Sequence, residues 1–503
     1  MNANTRFKFS TLSSLSLPLC TLCSVLMTVG TASAQDLTIK SAPQSQPVII
    51  FNATIHTVSG PSLQDGAIAF ENGRITAVMN AEEWKTAGQA PRPGTKLIDA
   101  NDAHIYPGLI GAYTQIGMTE IQAVRATIDM DEGASPISPE VRAATAVNPD
   151  STLIPVTRSN GVLTVGVFPT GGVISGQVSA IRLEGWTTAE LTISPSLGMA
   201  IRWPNTRAIN AWWQERSEED QLRDIGNAMR TIADAFDAAE SYARAKAADP
   251  AHPTDVRWEA MKPLLPVDRT HAAASELLVS KSATGRADTR ARTFVLANDV
   301  DQITSAVAFA ASRGLRLVII GGRDADLCAD LLKQHNVPVI IQGVHRLPRH
   351  DDAPYDEPYT LPARLHAAGV QFCIATNDDT AHERNLPYNA AMAAAHGLPM
   401  DAALKSVTLW PAQILGIDAE VGSIEVGKSA MLIMTSGNPL EVTTRVQRAY
   451  IDGRDIDLSN KHTKLDEKYR ERYRQLGMLK TETEADKPAP TPAPAPAPTP
   501  APQ

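Results

Sequence analysis

Residues 47–104 alternate short apolar runs with turn signals, as VIIFNATIHTVSG, GAIAFENGRITAV and TKLIDANDAHI, a texture that predicts short β-strands. Asn72-Gly73 separates two of these runs and predicts a tight hairpin, because both residues tolerate positive φ. The same texture returns in GSIEVGKSAMLIMTSGNP and VQRAYIDGRDI. Residues 47–104 plus 420–457 are therefore expected to build one small β-sandwich from both chain ends. Between them the second half of the chain switches period. The runs TFVLAN, LRLVIIGG, VPVIIQG and QFCIAT are continuously apolar, and each is followed by a helical pattern such as DVDQITSAVAFAASRG. Strands of that kind suit a parallel sheet covered by helices on its faces. Repeated βα units predict an α/β protein with a (β/α)8 TIM-like barrel over residues 105–419, a doubly wound sheet being the other arrangement that such units allow.

A helical insertion over about 205–285 interrupts the rhythm. Within it Ser217-Glu218-Glu219-Asp220 reads as a helix start, followed by Leu222, Ile225, Met229, Ile232 and Phe236 at alternating spacings of three and four. The stripe is about two heptads long, too short to argue for a coiled coil, so docking on the barrel is expected and a dimer seam is the alternative. Residues 458–503 continue as a charged helix, DEKYRERYRQLG, and a Pro-Ala-Thr tail of polyproline II character.

Composition bears on location and partners. Arg6 and Lys8 precede an apolar stretch from about Leu12 to Val29 and then Ala32-Ser33-Ala34, so residues 1–34 read as a signal peptide and the protein is expected to be periplasmic or secreted. No other stretch is long and apolar enough to predict a membrane span. Hydrophobic residues make up 43% of the 503 and charged residues 20%, with a formal net charge of −9, and loss of the leader removes two cations and no acid. An acidic surface argues against nucleic acid as a partner. The Cys20/Cys23 pair falls inside the leader. Cys328 and Cys373, in a helical and a strand pattern, are expected as buried thiols rather than a disulfide or a nucleophile.

The motif IYPGLIGA at residues 105–112 and the closing stretch RNLPYNAAMAAAHGLPMDAALKSVTLWPAQILGIDAEVGSIEVGKSAMLIM together resemble the amidohydrolase superfamily, specifically its imidazolonepropionase-like members, over about residues 47–457. The resemblance implies hydrolysis of a non-peptide C–N bond by one or two divalent metals at the barrel mouth. The ligands it implies are His-x-His on strand 1, often a carbamylated Lys on strand 4, a His on each of strands 5 and 6, and an Asp on strand 8. Such a metal lowers the pKa of its bound water to about 7 while the Asp takes the proton.

The matching positions carry other residues. Tyr113 and Gln115 stand in place of His-x-His, Gly111 in place of an Asp two positions earlier, Leu296 and Gly321 in place of the histidines of strands 5 and 6, and Asn377 in place of the Asp, with Asp378 next. No Lys occupies the strand candidates between 150 and 200. Leu and Gly supply no ligand, so no catalytic metal and no other cofactor is expected. The Gly-rich loop 169–177 reads equally as an anion nest or a tight structural loop. By strand placement Tyr113, Gln115, Asn298, Arg346 and Asn377 are expected to line a binding pocket at the mouth, with His345 and Asp378 as the candidate acid–base pair. Glu120 and Glu383 are near in sequence, and solvated loop positions are the plain reading of both. Two functions stay open: a hydrolase with a degenerate metal site, or a catalytically silent binding protein, a pseudoenzyme. A small-molecule ligand and a homo-oligomer or hetero-oligomer with an intact homologue are the partners that these readings allow.

Overall fold

The computed structural model describes residues 36, 38–87, 91–133, 135–266, 290–349, 351–376 and 380–479. The leader, residues 267–289 of the insertion, Asn377, Asp378 and the Pro-Ala tail lie outside the described residues.

Two eight-stranded sheets organise the chain. The first, called the end sheet, takes β1 (Val48–Ile55), β2 (Leu63–Glu71), β3 (Arg74–Met79), β4 (Lys96–Asp99) and β5 (His104–Pro107) from one end of the chain. It takes β14 (Leu432–Thr435), β15 (Val446–Ile451) and β16 (Arg454–Asp455) from the other. β5 and β14 pair antiparallel, from His104 with Thr435 to Pro107 with Leu432, which joins the two ends. Hydrogen bonding joins the strands from both chain ends into one continuous sheet. β1 serves three neighbours, with β2 on one edge and β4 and then β5 along the other. Arg74 bridges Ser429, so the β3 edge also returns to the chain just before β14. Asn72 and Gly73 adopt φ 51° and 78° in the β2–β3 turn, the left-handed pair that a tight hairpin needs.

β5 runs into the second sheet through Gly108. That sheet holds β6 (Leu109–Thr114), β7 (Val162–Val167), β8 (Ile174–Arg182), β9 (Thr192–Arg202), β10 (Arg292–Ala297), β11 (Arg316–Gly321), β12 (Val339–Gln342) and β13 (Phe372–Ala375), hydrogen-bonded in chain order. It is a nearly closed barrel. The seam between β13 and β6 is spanned by Ser406 and Val407, whose carbonyls accept from Ile374 N–H and Ile110 N–H at 3.0 and 2.9 Å.

The barrel departs from eight parallel βα units at its third strand. β8 runs antiparallel to both β7 and β9, while β9 to β13 are all parallel. The reason is the connection: only residues 168–173 join β7 to β8, whereas a parallel return needs about a dozen. Gly171 and Gly172, at φ 89° and 57°, make that turn, and a side chain at Gly172 would collide with Pro136 O. The Gly-rich loop is therefore a tight hairpin connection packed against Met130, Asp131 and Pro136, with Thr170 N–H and Val173 N–H both donating across at 2.7 Å to Met130 O and Pro136 O.

Local signals fix the covering helices. Val300–Arg313 starts at Asp299, whose side chain accepts from Gln302 N–H while Gln302 reaches back, and ends at Gly314 with φ 65°. The insertion helix Glu218–Ala248 is capped by Ser217 and docks on the barrel through Ile232, Phe236 and Ala239. Phe236 meets Phe309 edge-on at 5.5 Å. No described helix is long and apolar enough to cross a membrane.

Candidate functional site

The C-terminal strand ends point their side chains into the barrel mouth, the position where barrel enzymes assemble their chemistry. Strand 1 brings Tyr113, which is buried and packs on Phe168 with ring centres 4.8 Å apart. Phe168, just past β7, meets Phe294 of β10 edge-on at 5.2 Å. These three rings line one side of a small cavity at the strand ends. The cavity left between Tyr113, Phe168, Arg202, Phe294, Leu296 and Ile320 is about 30 Å³. That holds a water molecule or two, whereas small-molecule pockets run to about 300–1,000 Å³.

The residues expected to converge here are dispersed. Tyr113 lines the cavity; Gln115, just past the end of β6, is 5% exposed, and its Nε2 has no hydrogen-bond partner. Asn298 packs its Oδ1 over Gly321, so the two strand ends close on each other instead of opening a ligand position. Arg346 is withdrawn from the mouth: Glu357 takes both of its terminal nitrogens at 3.0 and 3.1 Å. His345 is exposed, its nearest ring partner being Tyr359 with centres 6.4 Å apart, and Asn377 and Asp378 lie outside the described residues. The His345–Asp378 pair expected from sequence therefore falls partly outside the described residues. Glu120 is half-buried, with its carboxyl held by Thr152 at 3.2 Å and its pKa raised by burial.

Two residues emerge that sequence reasoning missed or misread. Arg202 ends β9, the fourth barrel strand, as the one charged side chain lining the mouth cavity. An Arg closing the apolar run LGMAIR is the sequence signal for it. Glu383, read as a solvated loop residue, is 0% exposed. It reaches into the seam between β13 and β6, where Thr376 Oγ1 donates to its Oε2 and Thr114 also bonds the carboxyl. Its Oε1 occupies the space that a side chain at Gly111 would need. Burial pushes its pKa up to about 7, with the threonine hydroxyls partly offsetting the rise. A carboxyl that changes protonation near neutrality can hold or give a proton at the mouth.

The metal centre that the superfamily resemblance implies needs lone pairs at these strand ends. Leu296 and Gly321 present only carbon, and Tyr113 is committed to aromatic packing. No group of three or more His, Cys, Asp or Glu is placed to hold a metal among the described residues. Among the described residues the donor set does not fit the metal. Cys328 and Cys373 are buried thiols, the first with its pKa pushed up to about 11 by burial, and neither faces the mouth cavity.

Comparison with known proteins places this geometry. A family model described as "Amidohydrolase family" matches residues 271–462. Amidohydrolase tasK from Hapsidospora irregularis is 21% identical over 449 residues, which are 81% of this chain and 43% of that protein, so the chain spans less than half of that curated relative. The solved structure of an amidohydrolase from Thermotoga maritima MSB8 is similar with a TM-score of 0.66 at 21% identity, covering 82% of this chain and 99% of the other. That likeness is one of fold.

Proposed function

We propose that the chain, which the amidohydrolase family model matches over residues 271–462, is a secreted or periplasmic amidohydrolase-family protein whose metal-dependent hydrolysis of a non-peptide C–N bond has been lost, leaving a binding role, alone or as partner subunit of an intact homologue. One observation carries this reading: the strand-end positions hold Tyr113, Leu296 and Gly321, and the cavity beside Tyr113, Phe168 and Phe294 is only about 30 Å³. Metal hydrolysis needs lone pairs at those positions and room for the scissile bond beside them. Family membership names a chemistry, and the residues at the site decide whether it operates. Residues 1–34 act as the export signal in this reading, and the intact mass of exported protein starting at Gln35 is its check.

The test is elemental analysis of protein purified without chelator, together with turnover assays on lactams, hydantoins and N-acyl dipeptides. The reading expects well under one zinc, iron or manganese per chain and no turnover. A stoichiometric metal with turnover overturns it. Glu383 supports a second reading, metal-free residual hydrolysis, since it is a protonatable carboxyl at the mouth. Turnover without metal that is lost in Glu383→Gln would favour that reading over the first.

A further inference from the structure

A second set of groups lies where the end sheet meets the barrel, ten residues upstream of the Thr114 strand end. His56 follows β1, and His104 opens β5. The parallel pairing of Thr54 with His104 and Ile55 with Ile105 sets the two imidazoles side by side. His56 Nε2 lies 2.9 Å from His104 Nδ1. The ring centres are 5.2 Å apart with planes at 16°, so the rings are nearly coplanar and the hydrogen bond runs within their common plane. On the other side of His56, Ser62 Oγ lies 2.9 Å from Nδ1. Tyr106 shares the His104 face of β5, two residues on, and stacks on His56 at 4.1 Å and 1°.

The loop from His56 to Ser62 is held in an unusual shape. Val58 has φ 68°, a conformation that β-branched residues rarely adopt. Thr57 Oγ1 accepts from Gly60 N–H at 3.1 Å and donates to Pro61 O at 3.2 Å, which fixes the turn that delivers Ser62 to the ring. Ser62 and His56 border a cavity of about 450 Å³ with Leu404, Lys405 and Asn438, a size suited to a small molecule. Asn438 Oδ1 accepts from Leu440 N–H at 3.0 Å, so its amide nitrogen turns to the Met400 sulfur, 3.6 Å away, another wall of that cavity. Lys405 is 3.5 Å from Asp401, leaving Val58, Pro61, Met400 and Leu404 as an uncharged wall.

We propose that Ser62 is the nucleophile of an acyl-transfer site, with His56 as its base, His104 as the positioning residue that carries the proton onward, Asn438 as a donor to the oxyanion, and a short-chain carboxylic ester as substrate. Nucleophile, base and orienting group within hydrogen-bond reach are the arrangement that such chemistry requires. Ser62 Oγ bonds to the acyl carbon while its proton passes to His56 Nδ1 and the His56 Nε2 proton passes to His104 Nδ1. When the tetrahedral adduct collapses, the C–O bond to the alcohol breaks, the alkoxide takes the proton from His56 Nδ1, and His104 returns its proton to Nε2. Water repeats the sequence on the acyl-serine and releases the carboxylic acid. Burial above all, and then the neighbouring imidazole of His104, lower the His56 pKa to about 4, so His56 is neutral at pH 7 and free to accept.

The experiment treats the full-length mature protein with a fluorophosphonate probe, maps the adduct by peptide mass spectrometry, and follows hydrolysis of p-nitrophenyl acetate and butyrate. The expected result is an adduct on Ser62 and turnover above buffer. Ser62→Ala should remove the label and reduce turnover by about 100-fold. His104→Ala should lower kcat with KM unchanged. No adduct, an adduct on another serine, or unchanged turnover in Ser62→Ala overturns the proposal. Adduct mapping is done on the wild type, so it decides the matter even if a variant fails to fold.

Discussion

Glu383 Oε1 stands where a side chain at Gly111 would have to go, so strand 1 and the segment after strand 8 compete for one volume in the barrel seam. Gly111 is where the superfamily resemblance leads one to expect an Asp. With Glu383 present that position accepts only hydrogen, and the carboxylate of the seam comes from the short 3-10 turn Thr380–Asn385 that follows β13.

Gly111→Ala should therefore destabilise the protein by about 1–3 kcal/mol, the usual range for overpacking a core. Adding Glu383→Ala should restore part of that loss, because the two sites share the volume and their effects will not add. Urea unfolding of the two single variants and the double variant measures it, and strict additivity would contradict the competition.

Glu383 also makes stability depend on pH. Its folded pKa is about 7 against 4.5 for the free group, so the folded state binds its proton more tightly than the unfolded state does. The stabilisation is fully present below about pH 4.5 and is lost as pH rises through 7. Multiplied by 1.36 kcal/mol per unit, the shift corresponds to on the order of 3 kcal/mol. Glu383→Gln should remove this component, and unfolding midpoints of wild type and variant compared between pH 4.5 and 8 would show it as a diverging pair of curves.

Tyr113→His with Gln115→His should not rebuild a metal centre. Leu296 and Gly321 still supply no ligand, and removing the Tyr113 ring leaves Phe168 without its packing partner. Isothermal titration with zinc should show weak binding at most, and hydantoin turnover should stay at background. Tight stoichiometric zinc with activity would mean that the strand-end assignments are wrong.

Arg158 and Glu184 form an ion pair in which both side chains are 1% exposed, and Glu184 also accepts from Ser41 N–H at 2.6 Å. Arg158→Ala should cost about 3–5 kcal/mol, because it strands a buried carboxylate. Replacing both, as Arg158→Met with Glu184→Leu, should cost less than the single change. Thermal unfolding of the two variants gives the comparison directly.

Much of the fold was legible because it is written in short-range chemistry. Asp299 and Gln302 are three apart and cap a helix wherever it is placed. Asn72-Gly73 turns a hairpin through its own φ preferences. The apolar runs of β10 to β13 state their own burial. The lack of donors at Leu296 and Gly321 was equally readable, since no folding gives a hydrocarbon a lone pair. The reversal of β8 was there to be read in the length of the 168–173 connection, but βα repetition was extended across it.

What the sequence by itself determined is thus the set of elements, the α/β class and the missing ligand chemistry. The tertiary structure alone decided where charge and reactivity reside. Glu383 looks like a loop acid until β6 and β13 close over it, since only exclusion of water raises its pKa. Arg346 looks like a mouth residue until Glu357 takes its guanidinium. His56 and His104 are 48 positions apart and carry no shared motif, yet one register of parallel pairing brings their nitrogens to 2.9 Å. Burial, pairing and proton affinity are properties of surroundings, and those are fixed by contacts between residues distant in the chain.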